Sequence, residues 1–121
     1  MLKLKDGDFY KYVQKRVWKS LTEGFQTKQL IDIAGLSGVG LTNVLVKFAK
    51  RYNLNVVLND NQDRANFLKT KYKYENVYTV EHVRDKKWLS GQLVVDVGVD
   101  RDELQHQYGL QVMTGYYSKQ N

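Results

Sequence analysis

Cysteine is absent from this 121-residue chain, which excludes a disulfide framework and any thiolate metal site. Histidine is scarce: His82 and His106 have no acidic partners at a recognisable metal-binding spacing, so solvated or capping roles are expected for both. No run approaches the ~18 consecutive apolar residues that a membrane span needs, so no membrane passage is expected. The first residues, MLKLKDGDFYKY, carry charges where a secretory signal would have an apolar segment and a small-residue cleavage site. With the missing cysteines, this points to an intracellular, cytoplasmic protein. Proline is absent too, and the sequence offers no physical reason for it.

What is present is ordinary for a globular chain, 42% hydrophobic and 26% charged, of a length that supports one modest core. The formal net charge of +6 favours polyanions by long-range attraction, although a solvated cationic surface accounts for it equally. Phe9, Val13, Val17 and Leu21 recur every fourth residue, with Lys11, Lys15, Arg16 and Lys19 facing elsewhere. The spacing predicts an amphipathic helix capped by Asp8 and stopped by Gly24. Residues 1–28 then read as an N-terminal helix packed on a core formed by residues 29–121.

The stretch QLIDIAGLSGVGLTNVLVKF, Gln29 to Phe48, anchors that core. It predicts a buried strand over Gln29–Ala34, a glycine-rich turn, and a helix from Thr42 to about Tyr52. Further strands are expected at Leu54–Leu58, Asn76–Val80, Gln92–Val97 and Leu110–Tyr116. A helix is expected over Gln62–Tyr72, a short helix or irregular crossover over Glu81–Leu89, and a helix capped by Asp100, with Glu103 completing a capping box. Alternating strands and helices argue for an α/β protein with a five-stranded parallel sheet covered on both faces.

Within the anchor, Gly35, Gly38, Gly40 and Thr42 fall on the spacing G-x-x-x-x-G-K-[ST]. In that loop backbone N–H groups cradle phosphates, a lysine reaches the outer phosphates and a hydroxyl holds magnesium. Position 41 is Leu41, so the lysine is missing. Gly35, Ser37, Gly38, Val39, Gly40, Leu41 and Thr42 are the candidate nucleotide-binding residues, and Thr42 with Asp96 the candidate magnesium pair. The glycines alone also suit a tight strand-to-helix turn, and that alternative stays open.

The order of GLSGVGLT, VVLND, VYTVEHV, LVVD and VMTG resembles the first RecA-like core domain of superfamily one and two helicases and related P-loop ATPases. Small P-loop-like proteins of this kind also occur among bacteriophage products. The resemblance implies a nucleoside triphosphate with magnesium as cofactor. It places the loop strand at the sheet edge, followed by the fifth, fourth, second and third strands. It also implies crippled hydrolysis. Leu41 removes a pre-aimed charge whose loss commonly costs ~2.7–4 kcal/mol of transition-state stabilisation, and Val97 stands where a water-orienting acid often follows the aspartate. There is no room in 121 residues for a second RecA-like lobe.

A binding or regulatory module is therefore expected, engaging nucleic acid, a partner ATPase or a nucleoprotein machine. The alternatives are a slow ATPase completed by a basic residue of another subunit, and a phage-type inhibitor of a host or defence protein. For nucleic acid the candidate contacts are Lys69, Lys71, Tyr72, Lys73 and Tyr74, in the run KTKYKY, where aromatic rings among lysines suit a single strand. A rival triad, Ser37, Asp96 and His106, lacks the G-x-S-x-G elbow because Val39 occupies its last position.

Overall fold

Apolar β-branched residues dominate the interior strands, and the direction in which each crossover turns fixes which helix covers which face. The computed structural model describes residues 6–36, 38–86 and 91–119. In chain order the elements are α1 (Asp6–Thr27), β1 (Ile31–Asp32), α2 (Leu41–Tyr52), β2 (Asn55–Leu58) and α3 (Gln62–Tyr72). They continue as β3 (Val77–Thr79), α4 (Val80–Lys86), β4 (Gln92–Val95), α5 (Arg101–Gln107) and β5 (Gln111–Tyr117). The five strands form one sheet in the order β1-β5-β4-β2-β3, with every neighbouring pair parallel. This is the order that the resemblance implied. No described helix is long and apolar enough to cross a membrane.

From β1 through β2 to β3 the chain moves one way across the sheet, and from β3 through β4 to β5 it moves back. Right-handed crossovers then put α2 and α3 on one face and α4 and α5 on the other. The side chains divide accordingly. Val56, Leu58 and Val94 join Leu45, Phe48, Ala65 and Leu68 in one buried cluster, while Val57, Leu93 and Val95 meet Val83 and Leu104 in the second. Alternate strand residues thus serve opposite cores, as the period of two requires. Helix α1 joins the first cluster through Val13, Val17 and Leu21, and Trp18 sets its ring edge-on to Phe48 at 5.2 Å.

Several local expectations change. Phe9 was expected on the buried stripe of α1 but is 46% exposed, because the helix runs past the sheet before Val13 reaches the core. Asp8 does not start the helix, which spans Asp6–Thr27. Gly24 does not stop it either. The helix continues to Thr27 and ends where Lys28 turns left-handed at φ 58°. Gly24 is small for another reason: a Cβ there would come within 2.5 Å of Thr114 Oγ1 and 2.6 Å of the Gln29 carbonyl. Glycine lets α1 lie against β5, where Thr114 donates to that carbonyl at 2.8 Å.

The expected buried strand over Gln29–Ala34 is a two-residue edge strand, with Ile31 half-buried and Asp32 exposed. It has a single neighbour, and the Asp32 carboxylate accepts from Ala34 N at 3.0 Å, bending the chain into the loop. β4 ends at Val95, one residue before Asp96, where Val97 N turns to the Asp96 carboxylate. Asp100 caps α5 as expected, accepting from Asp102 and Glu103 N, but Glu103 pairs with Arg84 across to α4. Residues 87–89 of the expected Glu81–Leu89 segment lie outside the described residues.

Gly24→Ala is expected to destabilise the fold by about 1–3 kcal/mol through overpacking at Thr114, lowering the melting temperature by several degrees. Urea denaturation measures it. A variant as stable as the parent would mean that α1 does not need close approach to β5.

Candidate functional site

In a parallel sheet all strands end at the same edge, so residues just past β1, β4 and β2 border one cleft. Residues 33–40 connect β1 to α2. Gly35, Gly38 and Gly40 take φ of 83°, 76° and 74°, a region other residues adopt at a cost, and a Cβ at Gly35 or Gly38 would point into open space. The glycines thus serve backbone conformation and leave the mouth of the loop unobstructed. Ser37 lies outside the described residues. The base of the loop is pinned by Val39 and Leu41 in the core, by Gln14 Nε2 donating to the Val39 carbonyl at 3.0 Å, and by Tyr116 Oη donating to the Leu41 carbonyl at 2.9 Å.

Gly40 precedes α2 in the left-handed region, and no side chain caps the helix or puts a carboxylate in its first turn. The positive end of a twelve-residue helix therefore faces the cleft with no acidic residue in its own first turn. Thr42, in that first turn, donates from Oγ1 to Asp96 Oδ2 at 2.8 Å. The other carboxylate oxygen accepts from Val97 N at 2.9 Å. Asp96 is 8% exposed, and its pKa is raised above the ordinary carboxylate value by burial. The Thr42 and Val97 hydrogen bonds oppose that shift, the Asp60 charge adds to it, and the Arg64 charge counters it.

These groups line a cleft of about 670 Å³ with Ile33, Leu36 and Asn43. Arg64, third residue of α3, faces the same cleft, its N–H bonded to the Asn61 side chain and its guanidinium 5.4 Å from the Phe67 ring centre. Nothing in the sequence marked Arg64 as part of the site. The signal available was positional, because α3 starts just past β2, two places along the sheet from β5. Val97 lines the cleft and is 39% exposed, presenting a methyl surface beside the carboxylate.

A hydroxyl and a carboxylate converging at 2.8 Å fit magnesium, which is ordinarily held by one or two protein oxygens, substrate phosphates and waters. No group of three or more His, Asp or Glu able to hold a metal ion occurs among the described residues. The threonines of VYTVEHV and VMTG have structural partners. Thr79 Oγ1 accepts from His82 N at 3.1 Å at the start of α4, and buried Thr114 bonds the Gln29 carbonyl. His106, on α5, is exposed on the layer opposite α2 and does not line the cleft, so Asp96 and His106 are not joined in a triad.

The KTKYKY run splits. Lys71 and Lys73 are exposed and Lys69 half-buried. Tyr74 directs its hydroxyl into the carbonyls of Leu54 and Ala49 and packs against the core, which removes its ring as a stacking platform. Tyr72 donates to Asn43 Oδ1 at 2.6 Å while Lys47 and Lys71 flank its ring at 5.8 and 5.3 Å.

No protein-family model, curated protein or solved structure matches the chain. The class that stands is an α/β protein with a five-stranded, all-parallel sheet and an N-terminal helix, an arrangement compatible with a RecA-like fold.

The raised pKa of Asp96 has a thermodynamic sign. The folded state holds this proton more tightly than the unfolded state, so the contribution of Asp96 to stability falls as pH rises through the window above the ordinary carboxylate range. Asp96→Asn should accordingly be at least as stable as the parent at pH 7 and show a flatter pH dependence from pH 4 upward. Denaturant unfolding across that range checks it, and a variant markedly less stable at pH 7 would contradict it.

Proposed function

We propose that the chain is a non-hydrolysing or barely hydrolysing P-loop-type module that binds the phosphates of a nucleoside triphosphate with magnesium. The single observation carrying this reading is the Thr42–Asp96 hydrogen bond, which joins the first turn of α2 to the end of β4 between residues 54 apart in sequence. A glycine turn needs no such partner at its helix end. Residues that merely close a turn do not require a carboxylate buried at an energetic cost beside an uncapped helix N-terminus.

In this reading the N–H groups opening α2 receive phosphate oxygens, and Thr42 and Asp96 hold the metal, directly or through its water shell. Bound magnesium would neutralise charge between phosphate oxygens. Arg64 supplies the positive charge that Leu41 does not, from within the chain rather than from another subunit. Leu41 itself is 8% exposed and belongs to the core, so the loop lysine has been exchanged for packing. Hydrolysis stays poor because Val97 has no group to orient or deprotonate water. Binding without efficient turnover suits a regulatory module of a larger machine better than a motor.

Calorimetric titration with magnesium and a nucleoside triphosphate tests the reading. The parent should bind, Asp96→Asn should lose the magnesium dependence, and Arg64→Ala should weaken binding by about ten- to a hundredfold, as for a lost hydrogen bond to a charged group. Negligible binding by the folded parent at low salt would reduce the loop to a turn.

Leu41→Lys separates architecture from chemistry. Losing a buried leucine should cost about 2 kcal/mol, softened where the lysine stem covers the same surface. The new ammonium should tighten triphosphate binding without restoring turnover. Melting curves and calorimetry read the two effects separately.

A further inference from the structure

The two faces of the sheet carry very different charge. Helices α1, α2 and α3 bear ten lysines and arginines against four acids, and α2 has no acid at all, whereas α4 and α5 bear three basic and four acidic residues. The ion pair seen among the described residues, Arg84–Glu103, also lies on the α4/α5 face. On the other face cations sit against rings instead: Arg16 over Tyr12, and Lys47 and Lys71 against Tyr72. Such a surface repels itself unless an anion covers it.

Between α1 and α2 this face is furrowed. A groove of about 570 Å³ is lined by Lys11, Tyr12, Lys15, Trp18, Val44 and Lys47, with an apolar floor and a basic rim. Past Tyr12 and Lys15 a second depression continues along α1 to Arg16 and Lys19, with Glu23 at its far end. In the other direction Lys47 leads to Tyr72 and Lys71 at the end of α3. Beside the groove α1 exposes Phe9, Tyr10 and Tyr12, at 46%, 44% and 53%. None of these rings belongs to the core, which α1 joins through Val13, Val17 and Leu21.

We infer that the α1/α2 groove binds single-stranded nucleic acid, its lysines following the phosphates and Tyr12, with Phe9 or Tyr10, stacking on bases. Cations interleaved with free ring faces are what a single strand requires, since every unpaired base has a stacking face and every nucleotide a charge. A duplex offers charge without exposed base faces, and the rings would then be idle. An acidic protein would satisfy the lysines but has no need of flat ring faces at the groove mouth. The site is separate from the cleft at Thr42 and Asp96 and is moved from KTKYKY to α1, because Tyr74 is turned inward.

Fluorescence anisotropy with labelled dT and rU oligonucleotides of about fifteen residues, at ~50 and ~200 mM salt, tests it. The parent should bind, more weakly at the higher salt. Exchanging Lys11, Lys15 and Lys47 together for alanine should weaken binding and flatten the slope of log affinity against log salt by about 2, since each released phosphate contact contributes ~0.7 on a single strand. Tyr12→Ala should weaken binding about tenfold without changing that slope, and Tyr12→Phe should keep it. Asp96→Asn should leave it unchanged, which separates this site from the phosphate cleft. The dT and rU arms decide between DNA and RNA.

Heparin and an acidic peptide serve as competitors. Equal displacement by either at matched charge, together with a Tyr12→Ala variant that binds like the parent, would mean undifferentiated polyanion attraction and overturn the proposal. So would no binding at ~50 mM salt, or loss of binding only when Lys69, Lys71 and Lys73 are exchanged. Lys11, Tyr12, Lys15 and Lys47 are exposed, and melting curves of all the variants, including buried Asp96→Asn, confirm that each remains folded.

Discussion

The hydrogen bond from Thr42 to Asp96 is the point on which the chain's architecture closes. Thr42 belongs to the first turn of α2, and Asp96 follows the last residue of β4, a strand reached only after two further crossovers. For the two to meet, β1 and β4 must lie on either side of β5 and run parallel, so that both end at one edge. Tyr116 in β5 completes the arrangement by bonding the Leu41 carbonyl from between them. The site is thus a consequence of strand order, and its carboxylate is buried at a cost that packing alone does not explain.

The loop is held from below while its upper side is left free. Val39, Leu41, Gln14 and Tyr116 all act on the side facing the core, and Gly35 and Gly38 have no neighbours where a Cβ would be. This division suits a loop whose backbone is meant to be approached. Residue 41 lies at the boundary between core and cleft, and its side chain contributes to both. Arg64 lines the same cleft from α3, which begins at a different strand end.

The two helical layers are unlike in role. On one, α4 and α5 are short and tied by Arg84 and Glu103, with mixed charge and no large exposed ring. On the other, α1 to α3 form a thicker, cationic layer whose apolar side builds the larger core cluster and whose outer side is furrowed and aromatic. Helix α1 contributes to both surfaces at once. Val13 and Val17 fasten it to the core, Gln14 steadies the glycine-rich loop, and Lys11, Tyr12 and Lys15 border the groove.

Local periodicity made the element order legible in the sequence and spacing marked the glycine loop, while the strand order and the pairing of Thr42 with Asp96 came from the resemblance to RecA-like domains together with the handedness of crossovers. Tertiary structure decided the rest, for reasons no local pattern carries. Whether Gly24 ends a helix or admits a neighbour depends on Thr114, ninety residues away in the chain. Whether Tyr74 stacks on a base or bonds carbonyls depends on where Leu54 and Ala49 come to lie, although its neighbours are lysines. Arg64 joins the cleft only because β2 ends beside β4, and Leu41 packs into the core at the cleft's edge only because α2 begins there. A residue's type fixes what it can do, and the packing of distant strands fixes which of those things it is placed to do.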